Sequence, residues 1–265
     1  MWTLDLLPYL APLLTRPQQP DNLCGPYWIA LLLQCLGGRS VSVVEVAIAA
    51  QTLLPDSDGP WTPPGALSVT GEGYSQITTT SAVTKCGTSL VGLMRATQQL
   101  SQGEFCLLPL RMQSWEAGLA DLLRLCQIYP DWQLVPLLNS HTGYFWGSHL
   151  ALADLFRYLQ TGERAAPAAD WSVGHFALLA GQLQGQAARL YAVLDTYPHF
   201  GWQGLHLQPG DVIARSLARP RQATEGGIAL FIAAEVRSRV EQAVTALGAQ
   251  VAPWDNGTPA PDETG

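Results

Sequence analysis

Apolar residues recur along the chain at two spacings, and each change of spacing marks an element. From Cys24 the pattern is helical. Trp28, Leu31, Leu32 and Cys35 share one face, Pro26 suits a first-turn position because its missing N–H has no partner to lose there, and Gly37 and Gly38 supply the stop. "SVSVVEVAIAAQTLL" predicts a second short helix capped by Ser40 or Ser42. "GTSLVGLMRATQQLSQG" predicts a third, capped by Thr88 or Ser89 and ended by Gly103. "EFCLLPLR" then reads as a buried strand, "SWEAGLADLLRLCQ" as a helix, "WQLVPLLNS" as a strand, "SHLALADLFRYLQTG" as a helix and "AAPAADW" as a linker. "SVGHFALLAGQ" and "ARLYAVLDTY" read as the two strands of a hairpin joined by "LQGQA". A short strand in "GWQGLHL", a helix in "PGDVIARSLA" with Pro209 at its start, a buried strand in "GGIALFIAA" and a helix in "VRSRVEQAVTALG" complete the series.

Three stretches fall outside this rhythm. The first segment has Leu, Tyr and Leu at helical spacing, which predicts a short helix or turn. Residues 54–80 are rich in Pro, Gly, Ser and Thr and predict a long loop. Residues 251–265 hold too few apolar side chains to fold, which predicts a disordered tail. With helices first and strands with interspersed helices after, and no internal repeat, the expectation is an α+β fold in one domain over residues 1–250.

Composition narrows the function classes. Of the 265 residues 48% are hydrophobic, enough for a full core, and the 13% that are charged fall well below the usual share of about 25%. A net charge of −7 argues against a nucleic-acid partner. No apolar run is long enough to predict a membrane span. The N-terminal segment lacks a positive start, carries Asp5 and is broken by Pro8 and Pro12, so it is not expected to be a signal peptide. The five cysteines form no C-x-x-C pair. A reducing, cytoplasmic setting without structural disulfides, metal or other cofactor is expected. Cys35, Cys106 and Cys126 lie in apolar stretches, where a thiol acts as a small hydrophobe.

Cys24 differs in position. "LCGPYW" puts it at a helix start, where partial positive charge and unpaired N–H groups favour a thiolate, and Gly25 leaves room for a substrate backbone. A nucleophilic thiol needs a base and a group to orient that base. His175 in "VGHFALLAG" and Asp195 in "LYAVLDTYP" fit, because antiparallel pairing of their strands brings the start of one beside the end of the other. Gln18, six positions before Cys24, is the candidate side-chain donor to an oxyanion, with Gln19 as its neighbouring alternative. Gln19, Gly25, Trp146, Gly174 and Trp202 are candidates to line the cleft.

The set Gln18, "LCGPYW", "VGHFALLAG" and "LYAVLDTYP" resembles papain-like cysteine peptidases, and most closely the bacterial branch that cleaves double-glycine leader peptides, as a stand-alone domain. "KCGTSLVGLMRA" is similar to that branch's second helix start. The resemblance implies a nucleophile helix packed on an antiparallel sheet, a Cys24–His175–Asp195 triad, a thioester acyl-enzyme, and a peptide or amide substrate such as a precursor peptide. Relative to that branch, residues 112–170 read as an insertion holding two helices and a strand, and Thr196 follows the aspartate where proline is usual. Two other readings of the same residues stay open: an acyltransferase or transpeptidase that passes the acyl group to an amine, and an inactive binding module that kept the fold.

Overall fold

The computed structural model describes residues 3–7, 13, 15–57, 59, 61–147, 150–164, 167–220 and 222–260. The first hundred residues hold three α-helices. α1 (Cys24–Gly37) ends on Gly38 in the left-handed conformation, φ 62°. α2 (Val43–Ala49) opens with a reciprocal capping box between Ser42 and Glu45. α3 (Leu90–Leu100) is capped by Ser89. These three pack on one another, with α1 also against β6 (Gly174–Gln184) and α3 against β4 (Phe105–Arg111).

The main sheet is antiparallel throughout. Besides β4 and β6 it contains β5 (Val135–His141), β7 (Arg189–Leu194), β8 (Leu205–Pro209), β9 (Gly227–Ala233) and β10 (Gln250–Val251). Their order is β10-β4-β9-β5-β6-β7-β8. Helices α4 (Trp115–Ile128) and α6 (Gly210–Ala218) pack together, with α6 also against β5. The remaining helices are α5 (Leu152–Thr161) and α7 (Arg237–Ala246). Leu, Ile, Val and Phe side chains of β4, β5, β6 and β9 form a continuous buried core with α1, α3 and α4. The architecture is α+β with an antiparallel sheet, as the pattern predicts.

The first segment departs from expectation. Instead of a helix or turn, Thr3–Leu6 is a strand, β1, paired with Gly181–Gln184 of β6. β6 outruns β5, whose pairing ends at Leu178, so the ladder groups of its far half need another partner, and β1 supplies it. Gly181 permits the approach, since a Cβ there would lie 2.1 Å from the Asp5 carbonyl oxygen. Residues 8–12, the rest of that predicted turn, lie outside the described residues. Within the long predicted loop, β2 (Leu54–Pro55) and β3 (Thr79–Thr80) form a short parallel pair.

Residues 112–170 hold two helices and a strand, as expected, and β5 sits in the middle of the sheet between β9 and β6. The predicted disordered tail is structured as far as residue 260, and residues 261–265 lie outside the described residues. Trp254 is buried against Phe176 and Gly227, and the Asn256 side chain accepts from Leu90 N–H (3.2 Å) and donates to the Thr88 carbonyl (3.0 Å). One large apolar side chain and one amide anchor a segment whose average composition is polar. Cys35 is also corrected: no disulfide joins the cysteines, but Cys35 lies exposed rather than packed, while Cys126 is buried.

Removing the anchor tests this directly. Trp254→Ala should destabilise the protein by about 3–5 kcal/mol, the usual cost of truncating a buried tryptophan, measured by denaturant unfolding. A loss under about 1 kcal/mol would show residues 251–260 to be dispensable.

Candidate active site

The site is built where a strand outlasts its neighbour. β7 stops pairing with β6 at Leu194 opposite Leu178. Beyond that point α1 satisfies the Phe176 peptide: its N–H donates to Cys24 Sγ (3.4 Å), and its carbonyl accepts from Trp28 Nε1 (3.1 Å). Cys24 is therefore held at the first position of α1 against the start of β6. No side chain caps α1, which leaves its first-turn N–H groups for the thiol or a ligand.

The same crossing places the base. His175 precedes Phe176, and its Nε2 lies 3.1 Å from Asp195 Oδ1, just past the end of β7. The Cys24 side chain also stands close enough to the imidazole to raise its pKa. Asp195 Oδ1 additionally accepts from Tyr197 N–H (3.0 Å) and Thr196 Oγ1 (3.4 Å), and His206 Nε2 stands 3.7 Å from Oδ2. His175 and Asp195 are almost wholly buried, beneath Trp171, whose ring meets the imidazole edge-on at 4.9 Å.

Burial alone would lower the His175 pKa, but the Asp195 carboxylate and the Cys24 side chain more than reverse this and push it up to about 10. For Asp195, burial opposes ionisation and is outweighed by His175 and His206, which hold the carboxyl far below its usual range. The constellation thus favours an imidazolium clamped between a carboxylate and a sulfur.

Of the residues proposed from sequence, Cys24, His175 and Asp195 converge. Of the two glutamines, only Gln19 lines the cleft. Gln18 turns away and donates to the Leu67 carbonyl (2.6 Å), whereas buried Gln19 lines the Cys24 cleft, its carboxamide on Tyr197 Oη at 3.1 Å and its backbone N–H on the Thr196 carbonyl. Gly25 is not a substrate gap. A Cβ there would come within 2.8 Å of Leu93 and 3.1 Å of Phe176, so its smallness serves helix packing. Gly174 does border the cleft, which has a volume of about 330 Å³. Trp146 and Trp202 do not: with His199 and His206 they line a separate, more apolar cavity of about 690 Å³ on the other side of Asp195. His141 lies in the Cys24 cleft, and His149 lies outside the described residues.

Sequence reasoning missed Trp171, Tyr197 and Arg219. Trp171 is hidden in an apparent linker, though a tryptophan four residues before a strand's histidine is a signal. Tyr197 follows the aspartate by two, so strand continuation points it back toward His175. Arg219 carries no local motif. Among the described residues no group of three or more His, Cys, Asp or Glu side chains is arranged to hold a metal ion, and no helix is long and apolar enough to cross a membrane.

Fold and site together define an α+β chain with a cysteine, a histidine and an aspartate converging where a helix start meets a strand start. The chain belongs to a family of unknown function, DUF6885, whose model matches residues 10–255. No curated protein matches it.

The His175 shift has a measurable sign. Its proton is kept in the folded state and lost from the unfolded chain above about pH 6.5. The stabilisation is therefore complete below that pH and declines as pH rises towards about 10. Urea unfolding should show stability falling between pH 6.5 and 8.5, with a shallower slope in Cys24→Ala, which removes one of the groups that raise His175. A flat profile over that window would contradict a protonated His175.

Proposed function

We propose that this protein is a papain-like cysteine peptidase or closely related thiol-dependent amide hydrolase. The observation that carries the reading is the buried His175, bonded through Nε2 to Asp195 and beside Cys24 at the head of α1.

In the reaction, Cys24 Sγ attacks the carbonyl carbon of a peptide or amide and a C–S bond forms. The oxygen takes up negative charge, within reach of the Cys24 N–H and the Gln19 carboxamide. The C–N bond then breaks as the His175 imidazolium protonates the leaving amine. Neutral His175 next takes a proton from water, the hydroxide attacks the thioester, and the carboxylic acid departs as the sulfur leaves. Asp195 holds the imidazole in register and stabilises its charged form, and it stays ionised throughout. Trp171 and Tyr197 exclude water from this pair, which strengthens the electrostatic coupling.

The test is the reactivity of Cys24. Iodoacetamide should label it at neutral pH well ahead of the other four thiols, and His175→Ala should slow that labelling by about 10-fold or more, read by mass spectrometry of the labelled peptide. Labelling of Cys24 at the rate of an ordinary thiol, unaffected by His175→Ala, would refute the reading.

The oxyanion assignment makes a separate prediction. Against a peptide substrate, Gln19→Ala should lower kcat about 10²–10³-fold with little change in KM, and Gln18→Ala should leave kcat within about twofold. Equal losses in the two variants would exclude Gln19 as the donor.

A further inference from the structure

The chain has an excess of acidic residues, yet the described lining of the Cys24 cleft contains no aspartate or glutamate. It contains instead the two histidines His141 and His175 and one arginine, Arg219. Arg219 is 2% exposed. Its Nη2 donates to the side-chain and main-chain oxygens of Asn139 and its Nη1 to Thr224 Oγ1 (3.1 Å), while Nε has no partner. Among the described residues it forms no ion pair. A buried guanidinium held only by neutral oxygens retains most of its charge for another anion, because no carboxylate has neutralised it.

Arg219 ends α6 in the left-handed conformation, φ 46°, where glycine is the usual occupant. Gly174 borders its tip: a Cβ there would lie 3.8 Å from Nη2. Gly226 borders its stem, where a Cβ would lie 3.2 Å from Nε. His141 stands close enough for the guanidinium, together with burial, to lower its pKa, and its Nδ1 is buried without a partner. Burial draws Arg219 itself down to about 10, which leaves it charged at neutral pH.

Position relates this cation to the chemistry. Gly174 stands two residues before Phe176, whose N–H touches Cys24 Sγ. Along a strand that is about 7 Å, the span of about two extended residues. We propose that Arg219 is a substrate-recognition residue that binds a carboxylate within two residues of the carbonyl attacked by Cys24, so that the cleft takes peptides bearing an acidic side chain or a free C-terminus there. The proposal rests on the thiol-hydrolase reading and extends it to a substrate class.

Three affinity labels of similar reach test it: N-iodoacetylglycine, the α-amide of N-iodoacetylaspartate, and neutral N-iodoacetylglycinamide. Each alkylates the thiolate by forming an S–C bond and releasing iodide. At least one carboxylate label should modify Cys24 of the wild-type protein about 10-fold faster than the neutral label and with saturation, and the two carboxylate labels separate a terminal from a side-chain anion. In Arg219→Gln the ratio of carboxylate to neutral rates should fall to near one, and in Arg219→Lys it should be intermediate. Should the variants fail to fold, the wild-type protein alone decides: N-acetylglycine or the α-amide of N-acetylaspartate should protect Cys24 from iodoacetamide, and N-acetylglycinamide should not. Equal rates for all three labels without selective protection, or an advantage that survives Arg219→Gln, would overturn the assignment of Arg219. Slow labelling by the neutral reagent, indifferent to His175→Ala, would instead overturn the thiol-hydrolase reading on which it rests.

Discussion

The peptide group of Phe176 is the joint on which the site depends. In an antiparallel sheet, a strand that extends past its neighbour must find partners for its exposed N–H and carbonyl groups or lose their solvation without return. Here α1 meets that need with a thiol and an indole rather than with another strand. Hydrogen bonding thus fixes the distance between a helix start and a strand start, and the residues on either side, Cys24 and His175, inherit that precision. Gly25 allows the close approach, since any larger residue would push α1 off Leu93 and Phe176.

A second constraint is the charge buried beside this joint. A carboxylate and an imidazolium removed from water are costly unless every lone pair and proton finds a partner. Asp195 receives donors from His175, Thr196 and the Tyr197 backbone, and buried Arg16 on the far side adds favourable charge. The aromatic shell of Trp171, Tyr197 and Phe200 keeps the local dielectric low. The two charge states are coupled through one network: the contacts that keep Asp195 ionised also keep His175 protonated.

Much of this was legible in the sequence because the relevant signals were local. The Cys-Gly-Pro entry and Gly-Gly exit delimit α1, and alternation reveals the hairpin that sets His175 beside Asp195. What escaped prediction depended on partners distant in the chain. Gln18 and Gln19 are chemically identical, and only the hydrogen bond of the Gln19 backbone to Thr196 decides which one faces the cleft. Thr3–Leu6 becomes a strand because β6 has an unfilled edge, a fact absent from the segment itself. Trp254 and Asn256 lie in a polar, proline-rich stretch whose average hides two specific anchors. Arg219 follows an ordinary helix, and its meaning comes from the glycines and oxygens that three other segments bring to it.

The wall contributed by Asn256, Gly257 and Thr258 has a consequence for the order in which the protein is made. Synthesis runs from Cys24 towards these residues, and at roughly 5–20 residues per second the nucleophile helix emerges on the order of 10–50 s before the last wall of its cleft. Arg219, β6 and the Asp195 turn also arrive late. The nascent chain therefore carries Cys24 before the residues that surround it in the folded state, and the cleft closes around Cys24 only near the end of this stretch of translation.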